Sequence, residues 1–346
     1  MLYLSSKNKI DVHTAYKAIH NSHSADGGLY LPFRLPQLTR SDILAFGHRS
    51  YGDNVAYILN LFFSTGISGA DVDFLLGRSS TRYDTMSHRI VIAELWRNAK
   101  HDFEDSVQRL SDQLRREGKG DAPSDWVEVA VRIAAIFAIY GILLSEDLVS
   151  VDETVDIAMP VGNFDGPMAA WYARKMGLPV GNIICGCNAN SSVWDLLNLG
   201  EMSTNASVTV TTTPLCDFAV PDGLIRLIHG TLGADEAKKF DERFQLGRNY
   251  APPAEEFELL RAGMFAAVIS VSRVDSLIRN VYTTTGYTFG PYDALAYGSL
   301  LDYRAKTGQS GTAILISERS PLRDDALTAA ALGITPEALP ERLQSR

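Results

Sequence analysis

The stretch from Val155 to Asn188 constrains the fold more than any other. VDIAMPV reads as a strand and GNFDG as a loop. PMAAWYARKMG reads as a helix with Pro167 in its first turn and Gly177 at its end, and NIICGCN as a second strand. A βαβ unit of this length implies a parallel sheet with a right-handed crossover. The loop after the first strand presents backbone N–H groups at a helix N-terminus, a natural site for an anion. The same glycine loop serves as a tight turn, so both readings of Gly162, Asn163 and Phe164 stay open.

The flanking segments add helices and strands to this unit. DVHTAYKAIHN carries helical spacing and precedes SADGGLYLP, a glycine-rich turn leading into an extended run. NVAYILNLFFSTG and SGADVDFLLGRS read as two short helices, and RIVIAELW as a strand. HDFEDSVQRLSDQLRREGKG is a helix, with Asp102 as N-cap and Phe103, Val107, Leu110 and Leu114 as its apolar stripe. The turn-rich GKGDAPSD leads into an apolar helix from Trp126 to Leu144. Further on, AAVISVSRVDSLIRNVYTTTGY reads as helical and TAILIS as a last strand.

Charge and composition narrow the function classes. A net charge of −9 argues against nucleic-acid and membrane-surface roles, which need basic patches. IAAIFAIYGILL, preceded by Arg132, is too short to span a bilayer and reads as a buried core helix. MLYLSSKNKID lacks a signal-peptide layout, so a cytoplasmic location is expected. Three cysteines argue against a disulfide framework. Cys185 and Cys187, two apart on a strand, read as buried thiols, and no histidine has metal-ligand spacing, so no metal is expected.

SADGGLYLP, PVGNFDGPMAAWYARKMGLP and TPLCDFAVPDGLIR, in that order, carry a family resemblance, and the opening MLYLSS and the later TGY agree with it. The chain resembles threonine synthase, a fold-type II pyridoxal-phosphate (PLP) family that converts phosphohomoserine to threonine. The resemblance implies an α/β fold like that of the tryptophan synthase β subunit, with a mostly parallel sheet. It divides the chain into an N-terminal segment, residues 1–85, and an α/β domain, residues 86–346.

The departures from the family pattern are as informative as the agreements. The family's cofactor lysine lies in a segment like ELFHGPTLAFKD. Here ELWRNAKHDFED keeps Glu94, Leu95, Phe103 and Asp105, while Glu104 stands at the lysine position. A carboxylate cannot form an imine with PLP, so no covalently bound PLP and no threonine synthase activity are expected. The family's S-G-D-T-G substrate loop is absent, which implies that a second lobe is deleted or vestigial near residues 115–124. Arg132 matches the arginine that contacts substrate phosphate, and Gly162, Asn163 and Phe164 match the phosphate loop. Asp165-Gly166 replaces the Gly-Asn expected next, and Gly290-Pro291-Tyr292-Asp293-Ala294 stands for D-P-H-T-A.

These residues define the candidate site. Glu104, with His101 and Lys100 one turn away, is a candidate general base; equally, it is a first-turn carboxylate favoured by the helix dipole. Lys100 as a relocated imine lysine is a remote alternative. Arg132, Gly162, Asn163 and Phe164 are the candidate substrate-binding residues, and Arg132 serves either a ligand anion or an ion pair. The expected function is that of a PLP-independent enzyme, a lyase or transferase, or a binder of a small anionic amino-acid-like molecule, phosphorylated or carrier-bound. The alternative is a non-catalytic partner that associates with another enzyme, or with itself as a homodimer, through the face the lobe once covered. A true threonine synthase is the remote third reading.

Overall fold

The computed structural model describes residues 1–76, 82–86, 89–97, 102–115 and 123–344. His101 and Lys100 lie outside the described residues. Strands β1 (Leu2–Ser5), β2 (Asn8–Thr14) and β3 (Tyr30–Pro32) form a small antiparallel sheet of order β2-β1-β3. The main sheet contains β4 (Arg82–Met86), β5 (Ile90–Glu94), β6 (Val155–Pro160), β7 (Val180–Cys187), β8 (Met264–Val268) and β9 (Ala313–Ser317). Their order is β4-β5-β9-β6-β7-β8. β4 runs antiparallel to β5; all the other pairs are parallel.

The βαβ unit read from the sequence forms β6, the helix Asp165–Lys175 and β7, with Met159 opposite Cys185 in the ladder. Cys185 and Cys187 face the same side and are fully buried, as a two-residue strand spacing requires. The chain passes from β5 to β6 and leaves between them a slot that β9 fills at the end of the fold. A crevice at the carboxyl ends of strands, where the strand order reverses, is the usual ligand position in such sheets.

Two segments differ from the helices expected of them. Residues 8–14 form β2, and only Ala15–His20 is helical, because Leu4 and Tyr3 of β1 pair with Val12 and His13. Residues 264–268 form β8, since the free edge of β7 pairs Cys185 with Ala266; the helix begins at Val271, capped by Ser270. In both, ladder hydrogen bonds from a distant strand override local periodicity.

The helix Asp125–Ser145 is the axis of the core. Ser124 caps it by accepting from the Val127 N–H, and its own hydroxyl donates to the Ala18 carbonyl at 2.6 Å. This helix is long and apolar enough to cross a membrane, but 78% of its apolar window is buried inside the fold. Trp126 meets Tyr3, Phe62 and Tyr172 edge-on at 5.5–5.7 Å, so one continuous core joins the N-terminal segment to the α/β layers. The helix Phe103–Arg115 buries the expected stripe of Phe103, Val107, Leu110 and Leu114. Nine residues, 116–124, separate its end from Asp125, and residues 116–122 of that connection lie outside the described ones.

Candidate functional site

A cavity of about 230 Å³ opens at the carboxyl ends of β6 and β9. Met159 and Pro160 end β6, and Ile316 and Glu318 mark the end of β9. The starts of the helices Phe103–Arg115 and Asp165–Lys175 add to the walls, together with Leu215, Cys216 and Phe218. The volume is small against the roughly 300–1,000 Å³ of most ligand pockets and suits a molecule of amino-acid size.

The cavity brings together Glu104, Arg132, Gly162 and Asn163 from the sequence-based set. Gly162 takes φ +50° and Phe164 φ +70°, left-handed conformations that fold the GNF loop tightly onto the helix start. Asn163 is an anchor of that loop: its Oδ1 accepts from the Asp222 N–H at 2.9 Å and its carbonyl from the Gly223 N–H at 3.1 Å. A Cβ on Gly223 would stand 2.7 Å from the Asn163 carbonyl, so only glycine permits this approach. The Phe164 side chain is fully buried in the core and takes no part in the cavity wall.

Six carboxylates face the cavity: Asp102, Glu104, Glu128, Asp165, Asp293 and Glu318. Two arginines, Arg132 and Arg319, face it with them. Arg132 Nε lies 3.1 and 3.2 Å from the two Glu318 oxygens, and Nη2 donates to Oε2 at 3.1 Å. Its Nη1 donates to the Glu128 carbonyl and carboxylate at 3.3 and 3.4 Å. Burial works against the Arg132 charge, but Glu318 and Glu128 more than offset it and hold its pKa above the ordinary value. Arg319 is engaged in the same way by Asp324, at 2.7 and 3.4 Å.

Each buried acid has a defined partner. Asp102 Oδ1 accepts from the N–H groups of Phe103 and Ser320, and Arg323 meets Oδ2 at 3.0 Å. Burial nonetheless pushes the Asp102 carboxyl up, with Arg323 pulling the other way. Asp165 receives Arg226 Nη1 at 3.1 Å, and the fully buried Arg226 also pairs with Asp125. Burial pushes Asp165 above the usual carboxylate range against the pull of Arg132. Asp293 accepts from the Gly290 N–H at 2.9 Å and from the Ser317 hydroxyl, which in turn accepts from Trp96 Nε1 at 2.9 Å. Burial pushes Asp293 up to about 7. Glu104 is exposed at the cavity mouth and makes no hydrogen bond or ion pair among the described residues.

Sequence reasoning named Arg132 and missed its partner. Glu318 directly follows the apolar TAILIS strand, and a charge at the carboxyl end of a parallel strand is the signal that could have found it. Arg226 was missed as well; its signal is a lone charge within the apolar run LIRLI, which must be paired when buried.

Known proteins share this architecture. A family model described as "Threonine synthase N terminus" matches residues 2–79. The PLP-bound threonine synthase of Brucella melitensis superposes with a TM-score of 0.86 at 18% identity, covering 99% of this chain and 94% of that one. The chain is similar to threonine synthases and has their fold. Yeast threonine synthase superposes with a TM-score of 0.80 at 16% identity over the same shares of the two chains. In sequence, human threonine synthase-like 1 is 25% identical over 175 residues, which are 50% of this chain and 24% of that protein. Threonine synthase of Methylobacillus glycogenes is 25% identical over 225 residues, 62% of this chain and 45% of that one. The matched part therefore spans less than half the length of these curated relatives.

An imine-bound PLP requires an amine in reach of its aldehyde. The described residues that line the cavity include no lysine. Six carboxylates, with both arginines already paired, also give a phosphate monoester no counter-charge. The described residues of this cavity do not fit imine-bound PLP.

Proposed function

We propose that the chain binds a small amino-acid-like molecule in this cavity and works without an imine-bound PLP. The observation that carries this reading is the composition of the wall: a threonine-synthase fold whose cavity offers carboxylates and paired arginines where imine chemistry needs a lysine.

The residues present supply acid–base chemistry. Asp293, with its carboxyl near neutrality and its position fixed by Gly290 and Ser317, can hold a proton at one side of a bound ligand. Glu104, exposed to solvent, lines the same cavity. Proton transfer to or from a bound ligand is the reaction type that carboxyl groups in different environments support.

Titration calorimetry of the PLP-free protein with L-homoserine, L-threonine and L-serine tests the reading. Binding of at least one, weakened by Asp293→Ala, is expected. No heat from any of them, with a folded protein in the cell, contradicts it.

A further inference from the structure

We propose that Glu318 is a built-in counter-ion that fills the anion seat of Arg132, so that the cavity selects ligands by an ammonium group and rejects phosphate esters. The inference rests on the proposed amino-acid site and names the chemical class it takes.

A guanidinium that recognises an external anion must offer it a free edge. The Nε/Nη2 edge of Arg132 is the bidentate edge, and the Glu318 carboxylate already lies along it at 3.1–3.2 Å. Nη1 is turned to Glu128. Phe103 covers one face of the guanidinium, 5.6 Å from ring centroid to Cζ. Each group is held from the backbone side: Arg132 by the core helix, Glu318 by β9, whose end is tied to the Phe103 N–H through the Glu318 carbonyl at 3.4 Å. An incoming phosphate would have to displace Glu318 and leave that carboxylate unpaired next to a new dianion. In a partly buried site this costs more than the phosphate gains.

The balance of charge then sets the ligand. With Arg132 and Arg319 both paired from within, the surplus in the wall is negative, and Glu104 and Asp293 make no ion pair among the described residues. A primary ammonium complements that surplus. A neutral hydroxyl or small apolar remainder fits beside Met159 and Ile316. Electrostatic discrimination of this kind works by repelling the wrong ligand as much as by attracting the right one.

The test is calorimetry on the full chain with two probes, L-homoserine and inorganic phosphate. The wild type, Glu318→Ala, Glu318→Gln and Arg132→Ala/Glu318→Ala are compared, each with its circular dichroism spectrum. The wild type should give no phosphate binding up to concentrations on the order of 10 mM, whereas Glu318→Ala should bind phosphate at least about tenfold more tightly. The double variant should lose that gain. Glu318→Gln keeps the hydrogen-bonding shape, removes the charge and should show the same direction, so it stands in should the alanine variant unfold. Equal phosphate affinity in the wild type and both single variants, or no gain in either, overturns the inference. The homoserine arm separates the two readings: a gain of phosphate binding without any amino-acid binding by the wild type supports the counter-ion and refutes the amino-acid site.

Discussion

Asp293 shows what a single buried carboxyl does to a cavity of this kind. Its folded pKa stands near 7, above the usual carboxylate value, because burial penalises its charge more than Ser317 and Gly290 favour it. The folded protein therefore binds a proton at this site that the unfolded chain releases near pH 4. Stability from this group is fully present below that value and is lost as pH rises through about 7. The melting temperature should accordingly fall between pH 5 and pH 8 (round values bracketing about 4 and about 7), and Asp293→Asn, which keeps an acceptor for Gly290, should flatten that fall. A pH profile identical in the two proteins would show that Asp293 is ionised throughout. The residue-level reading of the sequence reached part of this site. Glu104, Arg132, Gly162 and Asn163 do converge on one cavity, since motif spacing fixes which loops meet. The partners of Arg132 and of Asp165 did not show, because Glu318 and Arg226 are far along the chain and only packing brings them in. His101 lies outside the described residues.

At the scale of elements, the parallel unit around β6 and β7 was legible because its strands are buried on both faces and so read as continuous apolar runs. β2 and β8 were not. Their sequences carry helical spacing, and what makes them strands is a free edge on β1 and on β7. The sheet's contact with the helix Pro291–Thr307 depends on Gly186, where a Cβ would stand 2.4 Å from the Leu295 carbonyl. Gly186→Ala should push helix and strand apart and destabilise the fold by about 1–3 kcal/mol, the usual cost of overpacking. Urea denaturation followed by far-UV circular dichroism measures this, and a midpoint unchanged from wild type would show that the helix shifts freely.

At the scale of the whole molecule, the N-terminal segment and the α/β layers share their core. Trp126 is the joint: it is fully buried and touches Tyr3 from the small sheet, Phe62 from the N-terminal helices and Tyr172 from the βαβ helix. Trp126→Ala should cost about 3–5 kcal/mol. Amides of β1 and of the helix Asp125–Ser145 should lose hydrogen-exchange protection together; loss confined to one of them would mean that the two parts fold separately. The same packing fixes the cavity, because the core helix that carries Trp126 also carries Glu128 and Arg132. The most direct measurement of how this cavity works is a borohydride trap. The protein is incubated with stoichiometric PLP, reduced, and read by intact mass and peptide mapping. The expected result is no site-specific adduct, only scattered sub-stoichiometric labelling of exposed lysines, because carboxylates wall the cavity. A reduced adduct mapped to one specific lysine at full occupancy would contradict it.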